Sequence, residues 1–139
     1  MTTVIVWSGR ESSFVHTIDP GDLKNFPGWS EDIEFYEPWE PGGAPGCLYP
    51  GTWWYGRQSC GQPRIIICGP CSSTNQIAWS LLQEGCLEPW DSILGLSQWA
   101  GRGQMGRIWH SPQGNIYASC LLPDRGLEDF FFPSVFFGF

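Results

Sequence analysis

The sequence predicts a fold of mixed strands and helices, and three segments carry that prediction. Residues 64–68 form a short β-branched run that is typical of a buried strand. Apolar residues at helical spacing follow over 77–82. Residues 115–122 alternate apolar and polar side chains, which indicates another strand. We therefore expect strands and helices to alternate between residues 64 and 122.

Local signals set the bounds of these elements. Ser73 and Gln76 have the spacing of a capping box, and Gly85 stands where a glycine ends many helices. Residues 93–97 predict a second short strand. In the third strand one face is predicted to carry four side chains: Ile116, Ala118, Cys120 and Leu122.

Length, charge and hydropathy exclude several classes of protein. The chain has 139 residues, which suits one domain, and its 14 acidic and 7 basic residues give a net charge of −7. Lys24 is the only lysine, so we expect no nucleic-acid partner. No apolar run is long enough to span a membrane, and residues 1–13 lack the pattern of a signal peptide. We therefore expect a cytoplasmic protein without a membrane partner.

Residues 1–63 differ in composition from the rest of the chain. Eight of the 14 acidic residues lie between Glu11 and Glu40, and residues 37–63 are rich in Pro, Gly and Trp. This composition predicts an extended or irregular segment, not a helix. We divide the chain into an N-terminal extension, 1–63, and a domain over 64–139.

The six cysteines leave three interpretations open. Without a signal peptide we expect reduced thiols, not a disulfide framework. Cys68 and Cys71 have C-x-x-C spacing, which occurs in redox pairs and in half of a zinc site. Because a second C-x-x-C is missing, we predict no metal site and interpret the pair as packing residues at a strand end.

A glycine-rich segment, GRGQMGRIWHSPQGN over 101–115, is the most informative part of the sequence. Its G-x-G-x-x-G spacing resembles a dinucleotide fingerprint, but that motif requires a following helix. Here Pro112 and Gly114 favour a turn, and a strand follows. The Gly-Lys-Ser/Thr of a phosphate-binding P-loop is also missing.

The residues of this segment suit an anion. Glycines let backbone N–H groups approach an anion closely, and Arg102 and Arg107 offer planar donors for phosphate oxygens. Trp109 adds a surface on which a base could stack. Two interpretations follow: a loop that folds over a nucleotide phosphate, or a surface hairpin with a buried Trp.

The segment resembles the glycine-rich loop of the biotin–protein ligases, G-R-G-R-x-G-R-x-W-x-S-P-x-G-N. Ser73-Thr74-Asn75 is similar to the family's S-T-N at the start of a helix, and Gln98 matches a family glutamine. The resemblance covers residues 64–122. The loop matches at ten positions: Gly101, Arg102, Gly103, Gly106, Arg107, Trp109, Ser111, Pro112, Gly114 and Asn115.

The resemblance implies an α+β fold related to class II synthetases, with a mixed or antiparallel sheet and helices packed on one face. It makes residues 64–139 a partial catalytic domain that is incomplete at its C-terminus, with an exposed sheet edge that favours self-association. It also implies a reaction. Biotin and MgATP give biotinyl-5′-AMP and pyrophosphate, and a lysine of a biotin carboxyl carrier domain then takes the biotin.

The resemblance also implies roles for individual residues. Ser73, Thr74 and Gln98 would bind the biotin head group. Gly101 and Arg102 would approach the biotin carboxyl group or the adenylate phosphate, with Arg102 and Arg107 as the catalytic pair. The nucleotide would contact five residues: Gly103, Gln104, Gly106, Arg107 and Trp109.

Two departures from the family pattern lower the expected activity. Gln104 stands where the family most often has Arg. The family also uses a lysine in a downstream K-W-P-N-D segment, and no such segment occurs before Phe139. We therefore expect this chain alone to adenylate biotin poorly. A lipoate or octanoate transferase relative and a non-catalytic biotin- or adenylate-binding remnant are the alternatives, although the lipoate enzymes' R-R-x-x-G-G-G is missing.

Overall fold

The computed structural model describes residues 2–9, 14–16, 18–43, 51–57, 59–124 and 136–138. A seven-stranded mixed sheet forms its centre. The strands are β1 (Thr3–Gly9), β2 (Glu40–Gly42), β3 (Gly51–Tyr55), β4 (Arg64–Cys68), β5 (Ser92–Gly95), β6 (Tyr117–Leu121) and β7 (Phe136–Gly138). The α-helices are α1 (Pro20–Leu23), α2 (Ser30–Phe35) and α3 (Thr74–Gln83), and a 3-10 turn covers Gln104–Gly106.

The strand order is β2-β3-β1-β4-β5-β6-β7. The three central strands β1, β4 and β5 run parallel to one another, and the outer pairs are antiparallel. Ile66 pairs with Ile5 on one side and with Ile93 on the other, and all three side chains are buried. Strands covered on both faces favour such β-branched residues. The predicted α+β class with a mixed sheet is confirmed.

The two faces of the sheet are both covered. One face packs α3 through Ile77, Ala78 and Leu81 against the buried side chains of the sheet. The other face packs Leu23 of α1 and Ile33 of α2. The expectation that helices lie on one face is therefore wrong for the described residues, because the segment between β1 and β2 folds its own apolar side chains back onto the sheet.

The segment 1–63 contributes three strands to this sheet. Residues 37–63, for which the composition predicts an extended or irregular segment, include β2 and β3. Trp53 of β3 lies opposite Trp7 of β1, with ring centroids 6.3 Å apart, and both side chains are buried. A strand built from Gly and Trp lacks the alternation that identifies strands in sequence, so pairing with β1 decides its conformation.

Helix α3 begins and ends where its sequence signals predict. Ser73 is the N-cap, and its Oγ accepts a hydrogen bond from the backbone N–H of Gln76 at 3.1 Å. The second half of the capping box is replaced: Gln76 Oε1 accepts from the Ser72 hydroxyl at 2.6 Å. Gly85 follows the helix with a φ of 72°, the left-handed conformation that favours glycine.

The third predicted strand is present as β6. Its more buried face lies opposite to the face that carries the alternating apolar residues of the prediction. In β6 the buried side chains are Tyr117, Ser119 and Leu121, while Ile116 before the strand is 78% exposed. Apolar alternation therefore indicated the wrong inward face. The inward position at the centre of the strand is a serine, because its hydroxyl has partners on α3.

A buried ion pair joins the starts of β4 and β5. Asp91 is fully buried, and Oδ2 of its carboxylate accepts from Arg64 Nε at 3.0 Å and Nη2 at 2.5 Å. The carboxylate also accepts from the backbone N–H groups of Arg64 and Glu88.

Within the part of the chain that the structure describes, no helix is long and apolar enough to cross a membrane.

Candidate functional site

Gln98 lies at the junction between β5, the start of α3 and the glycine-rich segment. Its backbone forms a parallel bridge with Cys71 and an antiparallel bridge with Ser111. Its side-chain Oε1 accepts from the Thr74 backbone N–H at 2.8 Å, and its Nε2 donates to Ser111 Oγ at 3.2 Å. One amide group therefore connects the first turn of α3 to the end of the glycine-rich segment.

The half-buried Gln98 amide retains binding capacity. A primary amide has two N–H donors and two acceptor lone pairs, and Thr74 and Ser111 occupy one of each. Within the described ranges, one donor and one acceptor of the amide have no partner. Ser73, also half-buried, accepts from Gln76, and among the described residues no acceptor takes its own hydroxyl proton. The site therefore presents uncharged donors and an acceptor.

Thr74 differs from the other two predicted biotin ligands. Its side chain belongs to a residue that is 2% exposed, and its Oγ1 lies 2.8 Å from Ser119 Oγ in the contact between α3 and β6. Its methyl group faces Gly95, where an added Cβ would lie 3.0 Å from it. The structure thus places Thr74 beside Gln98 but shows its hydroxyl engaged within the protein.

The glycine-rich segment forms a hairpin. The backbone N–H of Trp109 donates to Gly101 at 2.8 Å, and that of Gly103 donates to Arg107 at 2.7 Å. The turn spans Gln104–Gly106, where Met105 and Gly106 both have positive φ, 59° and 74°. The hairpin interpretation is confirmed in its backbone, but Trp109 is 63% exposed and not buried.

Two glycines of the hairpin stand where a side chain would not fit. A Cβ on Gly103 would lie 1.8 Å from the indole Nε1 of Trp109, so the ring packs directly on this residue. A Cβ on Gly101 would lie 2.8 Å from Ser111 Oγ and 2.9 Å from Gln98 Nε2. Gly101 thus leaves room for the Gln98 junction, and Gly103 leaves room for the Trp109 ring.

The predicted catalytic pair, Arg102 and Arg107, lies on this hairpin with both side chains exposed. Within the described ranges neither makes an ion pair, whereas Arg64 is paired with Asp91 and Lys24 with Glu34 and Glu37. Arg102 is bridged to Ile108 across the hairpin. The two guanidinium groups are therefore available to an anion at the hairpin surface.

The cysteines do not form a metal site among the described residues. Cys60, Cys68, Cys71 and Cys120 are free thiols, whereas Cys86 is disulfide-bonded, so the expectation of reduced thiols throughout is wrong. Cys68 and Cys71 are fully buried at the strand end, as packing residues would be. A hydrogen bond with Cys71 and burial raise the pKa of the Cys68 thiol well above its usual value of 9.0.

Sequence reasoning missed one polar residue next to the site. Ser119 is 1% exposed and contacts both Thr74 and Asn75 at the start of α3. Its signal was a lone serine inside an apolar strand. Such a residue indicates a buried hydrogen-bond partner across the sheet.

Residues 69–131 match the biotin/lipoate A/B protein ligase family. A solved structure of biotin protein ligase from Leishmania major in complex with biotin is 30% identical, with a TM-score of 0.42, over 48% of this chain and 26% of that chain. The same enzyme in complex with biotinyl-5-AMP is 31% identical, with a TM-score of 0.41, over 46% and 26%. The matches thus span about a quarter of the Leishmania chain. No protein of curated function matches.

The matched region contains the start of α3, the Gln98 junction and the whole hairpin. The resemblance that the glycine-rich segment and Ser73-Thr74-Asn75 carry is therefore confirmed. Residues 69–131 are thus similar to the biotin/lipoate A/B protein ligase family.

Proposed function

We propose that the Gln98 junction binds biotin and that the hairpin holds the phosphates of MgATP or of biotinyl-5′-AMP. The observation that carries the proposal is the Gln98 amide, which joins the start of α3 to the hairpin and keeps one donor and one acceptor without a partner among the described residues. The ring system of biotin is a neutral urea, with one carbonyl acceptor and two N–H donors. Ser73 and Gln98 supply neutral groups of matching chemistry.

The hairpin supports the second half of the proposal. Adenylate formation leaves negative charge at phosphorus and on the departing pyrophosphate. Arg102 and Arg107 carry charge that has no counter-ion among the described residues and that would stabilise it. Gly101 and Gly103 leave room for the Gln98 and Trp109 side chains beside the proposed phosphate position. The exposed face of Trp109 suits stacking of the adenine base. Gln104 and Gly106 form the turn beside these residues.

Formation of biotinyl-5′-AMP and transfer of biotin to a lysine of a biotin carboxyl carrier domain are part of this proposal. Lys24 does not suit the role of the family's active-site lysine. It lies after α1, bound to Glu37 at 3.1 Å and Glu34 at 3.4 Å, and the hydrogen bond with Glu37 raises its pKa. We therefore expect slow adenylation by these 139 residues alone. The domain boundary at 63/64, a cytoplasmic location and self-association stay predictions.

Two alternative functions share this site. The matched family includes lipoate ligases, so a lipoate or octanoate transferase is the first alternative. The second is a chain that binds biotin or its adenylate without catalysis.

Isothermal titration calorimetry with biotin and lipoate as separate titrants distinguishes these functions. We expect one biotin per chain and no heat from lipoate. Equal or tighter lipoate binding would favour the transferase, and no binding of biotin, with or without MgATP, would refute the proposal. A biotin-dependent pyrophosphate-release assay then separates a ligase from a binding remnant.

A further inference from the structure

A buried polar contact joins the start of α3 to β6. Ser119 Oγ lies 2.8 Å from Thr74 Oγ1 and 2.5 Å from Asn75 Oδ1. We propose that Ser119 is a positioning residue of the biotin site, which fixes the first turn of α3 so that Ser73, Thr74 and Gln98 are held in binding geometry. The inference rests on the proposed function.

The direction of the hydrogen bonds follows from the number of protons. Asn75 Oδ1 carries no proton and can only accept, so the Ser119 hydroxyl donates in this contact. The single proton of Ser119 therefore points to Asn75. The Thr74 hydroxyl must then donate to Ser119, which gives the order Thr74 to Ser119 to Asn75.

Burial makes this arrangement rigid. Ser119 is 1% exposed and Thr74 is 2% exposed, so water does not compete for either hydroxyl. A buried hydroxyl without a partner costs free energy, and both hydroxyls here are satisfied by each other and by Asn75. The flanking inward residues of β6, Tyr117 and Leu121, pack in the same direction as Ser119. Ser119 thus forms the polar contact between β6 and α3.

Thr74 links this contact to the proposed ligand groups. The side chain of Thr74 is fixed by Ser119, and its backbone N–H is bound to Gln98 Oε1 at 2.8 Å. Gln98 in turn donates to Ser111 on the hairpin. A displacement of Thr74 would change the orientation of the Gln98 amide, which is bound to the Thr74 backbone. It would also move Ser73, the cap residue that precedes Thr74. Loss of the Ser119 hydroxyl should therefore weaken biotin binding without any direct contact to biotin.

The test compares Ser119→Ala with Ser59→Ala. Ser59 is a matched control because its half-buried hydroxyl also makes two hydrogen bonds, to the backbone N–H and carbonyl of Val4 on β1. Both variants should lower the thermal stability of the chain. We expect Ser119→Ala to weaken biotin binding at least tenfold and Ser59→Ala to change it less than twofold. Equal biotin affinities in the two variants would overturn the inference.

Asn75 supplies a second test that does not depend on a buried substitution. It lies on an exposed position of α3, where Asn75→Asp keeps the acceptor for Ser119 and Asn75→Leu removes it. We expect biotin affinity within threefold of the unmodified chain for Asn75→Asp, and at least a fivefold loss for Asn75→Leu. Similar affinities in both variants would contradict the proton order. If the unmodified chain binds no biotin, the proposed function itself fails.

Discussion

The backbone N–H of Thr74 donates to Oε1 of Gln98 at 2.8 Å, across 24 residues of chain. A helix leaves its first four N–H groups without partners inside the helix, and this bond satisfies one of them with a side chain from another element. The start of α3 and the orientation of the Gln98 amide are therefore coupled.

Gln98→Glu tests the N–H donor that the Gln98 amide offers to biotin while it keeps the bond to Thr74. A glutamate retains the oxygen that accepts from Thr74, and the Ser111 hydroxyl can turn to donate to the second oxygen. The N–H donor proposed for biotin is lost. We expect at least tenfold weaker biotin binding by calorimetry with little change in melting temperature. Gln83→Glu, at the exposed end of α3, is the matched control and should bind biotin normally.

Gly103→Ala tests the packing of the hairpin. The new Cβ would collide with the Trp109 indole, which is exposed and can swing away at low cost, so we expect less than about 1 kcal/mol of destabilisation. The ring itself should move. The measurement is the ¹⁹F NMR shift of Trp109 in protein labelled with 5-fluorotryptophan, assigned by Trp109→Phe. Gly43→Ala has open space and should leave that resonance in place.

Asp91→Asn tests the ion pair at the other end of the sheet. Removing one partner leaves the Arg64 charge without its counter-ion, and such losses cost about 3–5 kcal/mol. Urea denaturation should show this loss of unfolding free energy. Glu37→Gln breaks an exposed pair with Lys24 and should leave the denaturation midpoint unchanged. Equal small effects would show that the Arg64–Asp91 pair is not a stabilising feature.

The thiols should differ strongly in reactivity. Cys60 is exposed, whereas Cys68 is buried and its raised pKa keeps it protonated at neutral pH. Iodoacetamide followed by peptide mass spectrometry should label Cys60 rapidly and Cys68 only after unfolding.

The raised pKa also gives a pH dependence. Below pH 9.0 both the folded and the unfolded forms of Cys68 are protonated, so its contribution to stability is fully present. Above pH 9.0 the unfolded thiol ionises first, so stability should fall as pH rises. A matching loss in a Cys68→Ala variant would contradict this assignment.

Elements whose signals are local could be predicted from the sequence. The β-branched run of β4 and the Ser73 cap with Gly85 behind α3 specify their structure within a few residues. The motif of the hairpin likewise indicated the resemblance to the family whose model matches residues 69–131. The strands β2 and β3 were not predicted, because Gly- and Trp-rich segments become strands only by pairing with distant residues. The strand β1 was missed although its run of Val and Ile is a local strand signal.

The candidate site also combines features with a local sequence signal and features that depend on distant residues. The motif brought Gln98 and the two arginines to attention, but the bonds that orient Gln98 join residues 13 and 24 positions away. Ser119 was missed because its partners lie 44 and 45 positions away along the chain. No periodicity can show that a serine in an apolar strand faces a helix start.

A biotin titration of ¹⁵N-labelled protein, followed by NMR, tests most directly whether biotin binds at the Gln98 junction. We expect saturable shifts of the Gln98 side-chain amide and of the backbone amides of Ser73, Thr74 and Gly101. Little change is expected at Phe26 and Trp29, which line a cavity of about 260 Å³ on the face that packs α1 and α2. Shifts confined to that cavity, or no shifts at all, would contradict the proposed biotin site at Gln98.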